Sequence, residues 1–280
     1  MANYYCFIAG LPDVKLTDAM PRHTLLQLKE ELAETLTSQD AKLLERYFLR
    51  FDCENLVSLL AESDVEWNAR GNYDREALCQ LIEEARELDG PVKGFPKFMA
   101  DFVRDYDAHA NHHHWFARDA VLLAYYNYAR ECPNPMMAEW YDLNFNILNI
   151  LTAFIARHQG WALTNYVQGN GAIVESLLKQ SNLPDFGLGT ELDYMKSLAQ
   201  AAETTDPVEK ERQIDALRWN WLEEKTFFEP FDITALFAYI VRTEILERWA
   251  LLDVEQGRAR FTEIIENLRG EAKVPEEFLR

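Results

Sequence analysis

Three stretches of this chain repeat one arrangement: a long apolar helix pattern, a turn that contains glycine, and a second, shorter helix. The three turns contain Gly71, Gly169 and Gly257. Recurrence at this coarse scale indicates stacked units, because one unit alone cannot bury its apolar stripe. Such a chain favours a scaffold over an enzyme built around a pocket.

Almost the whole chain follows helical periodicity, so the predicted fold class is all-α. The three stretches and the breaks between them predict three related helical-bundle repeats, at residues 1–94, 95–187 and 188–280. A chain of 280 residues is long enough to bury a large core. Only residues 1–10 suggest a strand, and a single strand has nothing to pair with.

Capping residues mark several of the helix ends. Thr37 and Asp40 have the spacing of a capping box at a helix start. Gly160 lies where a C-terminal cap belongs, just after a long and mostly buried helix. Near the C-terminus, Glu244 and Arg248 lie four residues apart on one predicted helix, so we expect them to form an ion pair.

Charge and hydropathy limit the partners and the compartment. The net charge of −19 and the pI near 4.7 argue against nucleic acid and against an anionic membrane surface, and leave a basic protein partner open. No window reaches the roughly 20 apolar residues that a membrane-spanning helix needs. With no secretory leader at its start, the chain is expected to be cytoplasmic, without direct membrane insertion. We expect buried free thiols at the four widely spaced cysteines: Cys6, Cys53, Cys79 and Cys132.

A run of histidines is the sharpest local oddity: His109, His112, His113 and His114. His109 and His113 are four residues apart, so they would share one face of a helix, as metal-binding pairs do. The chain lacks a His-Glu-x-x-His motif, and the run also fits a polar, partly exposed turn. Both interpretations stay open: a plain turn, or a helical metal-binding protein or metal-dependent enzyme centred on His109, His112 and His113.

Other motifs of catalysis and cofactor binding do not stand out. Gly169-x-Gly171 follows a helix rather than a strand, and Gly187-x-Gly189 has no βαβ setting, so both predict plain turns. The chain contains no GxxxxGK[ST] phosphate loop and no GxSxG elbow. We therefore predict no cofactor and no catalytic residue.

Two acid–asparagine pairs lie in apolar helices. Asp52 precedes Asn55 by three residues, and Asp142 precedes Asn146 by four. Catalysis by either acid would need a second buried carboxylate, which the sequence does not identify. We expect Asp52 and Asp142 to bond a neighbouring helix, and Asn55 and Asn146 to be buried and to bond the backbone at a neighbouring helix end.

These motifs carry a resemblance to a known family. Residues 237–258 resemble the C-terminal signature of the V-type ATPase C subunit family, called subunit d in the eukaryotic enzyme. Residues 141–147, Tyr-Asp-Leu-Asn-Phe-Asn-Ile, resemble its middle signature, and residues 51–56, Phe-Asp-Cys-Glu-Asn-Leu, resemble its first. The three turn glycines fall where the family places its turns. The chain also resembles a bacterial group of uncharacterised proteins associated with V-type ATPase gene sets.

The resemblance implies an all-α, funnel-like single body of three helical lobes. It implies a non-catalytic rotor subunit between the central stalk and the membrane ring of ion-carrying subunits, which are its partners. The protein would be cytoplasmic and peripheral on the inner face of the cell membrane. The positions that would serve as structural repeat positions are Asp52, Asn55, Gly71, Asp142, Asn146, Gly169, Glu244 and Gly257.

The sequence also departs from the family pattern. Val57 and Leu148 stand where the family often carries an arginine after Asn-Leu, and Glu247-Arg248-Trp249 replaces Asn-Leu-Arg. The apolar stripes are intact, so the resemblance extends to the fold and the assembly. It does not extend to individual partner contacts.

Overall fold

A computed structural model describes residues 4–109, 116–228 and 231–251 of the chain. These residues form eleven α-helices and no strand, which confirms the predicted all-α class. The helices are α1 Tyr5–Gly10, α2 Leu25–Thr35, α3 Ser38–Leu60, α4 Arg75–Glu87, α5 Lys97–His109, α6 Ala117–Ala129, α7 Pro135–Gln159, α8 Ala172–Lys179, α9 Met195–Glu203, α10 Pro207–Thr226 and α11 Ile233–Leu251.

Side-chain caps define where the long helices begin. The Thr37 side chain accepts a hydrogen bond from the Asp40 backbone N–H at the start of α3, which confirms the predicted cap. The α7 helix begins after Asn134, whose side chain caps the Met137 N–H, and it ends at Gly160 with φ 71°. Glycine adopts this left-handed conformation without strain, so the predicted C-terminal cap is also confirmed.

The N-terminal segment forms a short helix, so the predicted strand is wrong. The β-rich sequence at residues 4–8 finds no second strand in the described part of the chain, and α1 forms instead. The Tyr4 N–H donates to the Phe231 carbonyl at 2.8 Å, and the Tyr4 hydroxyl bonds Asp40. These two bonds attach the start of the chain to α3 and to the segment before α11.

One core joins the helices. The α3 helix packs against α5 and α6, α7 packs against α6, α8, α9 and α11, and α10 packs against α9 and α11. The α2 helix packs against α11, so the N-terminal and C-terminal parts share a boundary. The fully buried side chains at the centre include Tyr47, Tyr141 and Phe237, and both tyrosine rings contact the Phe237 ring edge to face. The α5 helix packs against both α4 and α6, so the core continues across the predicted boundary at residue 94.

The cysteines differ in burial, and the helices are limited in length and hydropathy. All four cysteines are free thiols; Cys53 and Cys132 are buried as expected, whereas Cys6 is exposed and Cys79 is half-buried. Among the described residues, no helix combines the length and the apolar character that crossing a membrane requires.

Candidate functional site

The first candidate site is the loop that follows α3, which is fixed to that helix by Asn55. The Asn55 side chain is 3% exposed. Its Nδ2 donates to the Asn68 carbonyl at 2.9 Å, and its Oδ1 accepts from the Asn68 N–H at 2.9 Å. A buried amide is costly unless its polar atoms are bonded, and this pairing satisfies both ends. Asn55 is therefore buried and bonded to the backbone as predicted, but its partner lies in the loop after α3 rather than at a neighbouring helix end.

Asp52, one helical turn earlier, holds the next part of the same loop. Its buried carboxylate accepts from the Asn72 N–H at 2.8 Å and from the Tyr73 N–H at 3.2 Å. A Cβ atom on Gly71 would overlap the Asp52 Oδ1 atom and lie 2.9 Å from its Cγ atom. Gly71 is thus required because the loop backbone lies directly against the carboxylate.

Burial sets the ionisation of Asp52. It raises the pKa of this carboxyl to about 6, and the N–H donors of Asn72 and Tyr73 and the charge of Lys29 offset part of that rise. The Lys29 ammonium donates to the carbonyls of Arg70 and Gly71, on the other side of the loop. The acid and the lysine together hold a tight backbone turn.

A second loop, after α7, is fixed in the same way by Asn149. Its Nδ2 donates to the Gln168 carbonyl at 3.1 Å, and its Oδ1 accepts from the Gln168 N–H at 2.8 Å. Gly171 follows Gln168 by three residues, as Gly71 follows Asn68. The residue that matches Asn55 is therefore Asn149, and Asn146 occupies the position of Asp52.

The other predicted positions of the second unit have different partners. Asn146 is half-buried and hydrogen-bonds the Tyr194 side chain at the start of α9, so the expected backbone contact belongs to Asn149 instead. Asp142 pairs with Arg130, across the α6–α7 connection. Gly169 has φ 80°, and a Cβ atom there would lie 3.0 Å from the Phe145 ring. Gly169 is therefore a turn glycine packed against α7.

Glu244 on α11 lies in the centre of the molecule and bonds the first unit. Its carboxylate accepts from Arg50 Nη2 at 2.7 Å and Nη1 at 3.1 Å, and from the Tyr47 hydroxyl. Burial, and then the charge of Glu244, raise the pKa of the Tyr47 phenol well above its usual value, so the phenol stays a donor. The expected Glu244–Arg248 pair is therefore wrong, because Arg50 of α3 binds Glu244, whereas Arg248 pairs with Asp215 and Glu211.

A second ion pair follows one turn later on α11. Glu247 pairs with Arg70 of the first asparagine loop, at 3.1 Å between Oε2 and Nη2. Glu244 and Glu247 have the same three-residue spacing as Asp52 with Asn55 and Asn146 with Asn149. Arg50 and Arg70 thus connect the first unit to α11 at two successive turns. Gly257, predicted as the turn of the third unit, lies outside the described residues.

Asp215 on α10 is the second buried acid of this region. Its side chain is 1% exposed and accepts from Arg218 Nη1 at 3.1 Å, from Trp249 Nε1 at 2.8 Å and from Arg248. Arg218 Nε also donates to Asn144 on α7 at 2.9 Å. These bonds connect α10 and α11 with α7, so that the second and third predicted units meet here.

A cavity of about 510 Å³ opens at this junction. Its walls come from α3, α6, α7, α10 and α11, and include the aromatic side chains of Tyr126 and Trp140. The charged side chains that line it are four arginines and three acids: Arg50, Arg118, Arg218, Arg248, Glu54, Asp215 and Glu244. This charged cavity lies where α3, α6, α7, α10 and α11 meet.

Most of the predicted histidine cluster lies outside the residues that the structure describes. His109 is the last residue of α5, and its Nδ1 lies 2.8 Å from the Asp105 carbonyl oxygen. His112, His113 and His114 lie outside the described residues. Within residues 4–109, 116–228 and 231–251, no three or more His, Cys, Asp or Glu side chains group as metal ligands would.

Comparison with known proteins gives a family. A family model described as "Protein of unknown function (DUF2764)" matches residues 1–272. The chain belongs to the DUF2764 family. No curated protein and no solved structure matches this DUF2764 member.

Sequence reasoning missed several residues of this DUF2764 site. Asp215 and Arg218 are hard to single out, because α10 carries charges on every side. Asn149 left a detectable signal, since it lies in the apolar run of α7 and three residues after another asparagine. Arg50 gave no signal, because its partner Glu244 is 194 positions away in the sequence.

Proposed function

We propose that this DUF2764 protein is a non-catalytic rotor subunit of a V-type rotary ATPase, which links the central stalk to the membrane ring of ion-carrying subunits. It would belong to the assembly on the cytoplasmic side of the cell membrane, as a peripheral subunit. Its partners are the stalk and ring subunits. The proposal rests on the sequence resemblance to the C subunit family, whose motifs occur in the same order, and on the asparagine-bonded loops that recur after α3 and α7.

The observation that carries the proposal is that one local hydrogen-bonding arrangement recurs. In two places a buried asparagine on a long helix bonds both backbone groups of a loop residue, three residues before a glycine. The third long helix carries Glu244 and Glu247 at the same spacing. A helix, turn and shorter helix used three times is the architecture that the resemblance implies, and it supports a scaffold made of related lobes.

Bonds between the units support the mechanical part of the proposal. A subunit that passes torque must move as one stiff body. Arg50–Glu244 and Arg70–Glu247 connect the first unit to the third, and Arg218–Asn144 connects the third to the second. Partly buried ion pairs with several hydrogen bonds fix orientation better than exposed ones, which are screened and mobile.

The buried acids also fit a structural role. The charged side chains that are buried in the described residues are Asp52, Asp215 and Glu244, and each accepts at least three hydrogen bonds from named donors. Fully bonded carboxylates of this kind hold helices and loops in place. The hydrogen bonds of the three carboxylates are therefore part of the folded structure.

Affinity purification tests the proposal. The tagged full-length chain is recovered from native membranes under gentle extraction, and the co-purifying proteins are identified by mass spectrometry. We expect central-stalk and ring subunits of a V-type ATPase in stoichiometric amounts. If neither kind of subunit accompanies the chain, the proposed function fails.

A coupling measurement tests the stiff-body role. The double variant Arg50→Ala/Arg70→Ala removes both links between the first unit and α11. We expect it to lower ion transport per ATP hydrolysed, at a temperature where circular dichroism shows the variant folded. Lys179→Ala, which breaks only an exposed pair with Glu175, is the matched control and should leave coupling unchanged.

A further inference from the structure

The charged cavity draws its arginines from four different helices. Arg50 comes from α3, Arg118 from α6, Arg218 from α10 and Arg248 from α11. Four guanidinium groups face three carboxylates, so the lining carries a formal excess of one positive charge. This excess is notable in a chain whose net charge is −19, because cations are scarce and acids are plentiful over the rest of it.

Several guanidinium N–H groups in the cavity have no protein acceptor within the described residues. Arg218 uses Nε for Asn144 and Nη1 for Asp215, which leaves Nη2. Arg248 uses Nη1 and Nη2 for Glu211 and Asp215, which leaves Nε. Arg118, exposed at the rim, forms no ion pair with any described residue.

The three acids of the cavity are already engaged. Glu244 is held by Arg50 and Tyr47, and Asp215 by Arg218, Arg248 and Trp249. Glu54 accepts from Asn68 Nδ2 at 3.0 Å. The remaining donors reach solvent and are free to bind an acceptor from outside the chain. Guanidinium groups bind phosphate and carboxylate strongly because they donate two parallel hydrogen bonds.

We propose that this cavity binds a small molecule that carries at least two anionic groups, phosphates or carboxylates. The volume of about 510 Å³ is that of a small-molecule site. Arg218 and Arg248 converge on Asp215 deep in the cavity, and Arg118 stands at its rim, so a ligand with two anionic groups could engage both. Bound in this way, the ligand would join α6 to α10 and α11. This proposal does not depend on the rotor assignment.

Calorimetric titration of the purified full-length protein tests the site. Pyrophosphate and citrate are the two probes, in low-salt buffer, and they distinguish a phosphate site from a carboxylate site. We expect one-to-one binding of at least one probe, weakened by added salt. Arg118→Ala should weaken that binding about tenfold, as the loss of one charge-assisted contact predicts. The side chain is exposed and unpaired among described residues, so this variant should fold normally.

Two further variants test the direction of the charge effect and the specificity of the site. Glu54→Gln removes a cavity carboxylate and should tighten binding, opposite in direction to Arg118→Ala. Arg75→Ala removes an exposed arginine at the start of α4, away from the cavity, and should leave the affinity unchanged. The proposal is overturned if neither probe binds, if Arg118→Ala binds like the unaltered chain, or if Arg75→Ala weakens binding equally.

Discussion

Arg50 of α3 and Glu244 of α11 are separated by 194 positions in the sequence, and they form a two-bond ion pair at 2.7 and 3.1 Å. The Glu244 side chain is 9% exposed and that of Arg50 is 37% exposed. The pair therefore has a nearly buried acid and a half-exposed base. Removing the base leaves the acid in a poorly solvated position, whereas removing both leaves only a packing defect.

Replacement of Arg50 by methionine should destabilise the protein by about 2–3 kcal/mol, because Glu244 loses its counter-charge and keeps only the Tyr47 donor. Urea unfolding followed by circular dichroism measures this. The double variant Arg50→Met/Glu244→Leu should recover much of the loss. A double variant less stable than Arg50→Met would contradict the account.

Replacement of Gly71 by alanine should cost about 2–4 kcal/mol, since the new Cβ atom overlaps the Asp52 carboxylate and pushes the loop from α3. Gly90→Ala is the matched control, because a Cβ atom at Gly90 meets nothing within 4 Å. Thermal melting of the two variants compares them. Equal melting temperatures would show that the loop moves freely away from Asp52.

The two clamping asparagines should behave alike and differ from their neighbour. Asn55→Leu and Asn149→Leu each leave a loop N–H and C=O without a side-chain partner, so each should cost about 2–3 kcal/mol. Asn146→Leu loses the bond to Tyr194 at a half-buried position and should cost about 1 kcal/mol or less. Urea midpoints rank the three. If Asn146→Leu is the most destabilising of the three variants, Asn146 rather than Asn149 is the residue equivalent to Asn55.

Stability should depend on pH through Asp52. Burial raises its pKa to about 6 in the folded protein, above the ordinary value of an aspartate carboxyl, so the folded state binds the proton more tightly than the unfolded state. The contribution of Asp52 to stability is therefore greatest at acidic pH and falls as pH rises from about 4 to about 6, by on the order of 2–3 kcal/mol. Asn at position 52 does not titrate.

The comparison is between the unaltered chain and Asp52→Asn, each unfolded in urea at several pH values from 4 to 7. The free energy of unfolding of the variant should rise relative to that of the unaltered chain across this window. Parallel curves would mean that the N–H donors and Lys29 fully offset the effect of burial on the pKa.

The sequence predicted the helices with strong periodicity and clear caps, because these features act locally. Thr37, Gly160 and Asn55 each have their partners within a short segment or at the next loop. The N-terminal strand was wrong because β-forming residues alone cannot supply a partner strand.

The charged cavity lay beyond sequence reasoning for a physical reason. Its bonds join helices far apart in the chain, and a single sequence shows only local spacing. Arg248 was the nearest cation to Glu244 along the helix, so the i,i+4 rule favoured it. Packing instead aims Arg248 at Asp215 and brings Arg50 to Glu244. The choice between local and distant partners depends on which helix faces meet.

The two clamping asparagines lie at different distances from the ends of their helices: Asn55 is five residues before the end of α3, and Asn149 is ten residues before the end of α7. The first joins residues 13 positions apart and the second joins residues 19 positions apart, with the same pair of bonds. The difference in separation is mainly helical, so the same pair of bonds anchors the loop whether five or ten helical residues follow the asparagine. The largely exposed stretch at residues 161–166, between the end of α7 and the anchored Gln168, is the natural place to insert a peptide tag or a fluorophore, where a probe could report on motion of the whole body without disturbing it.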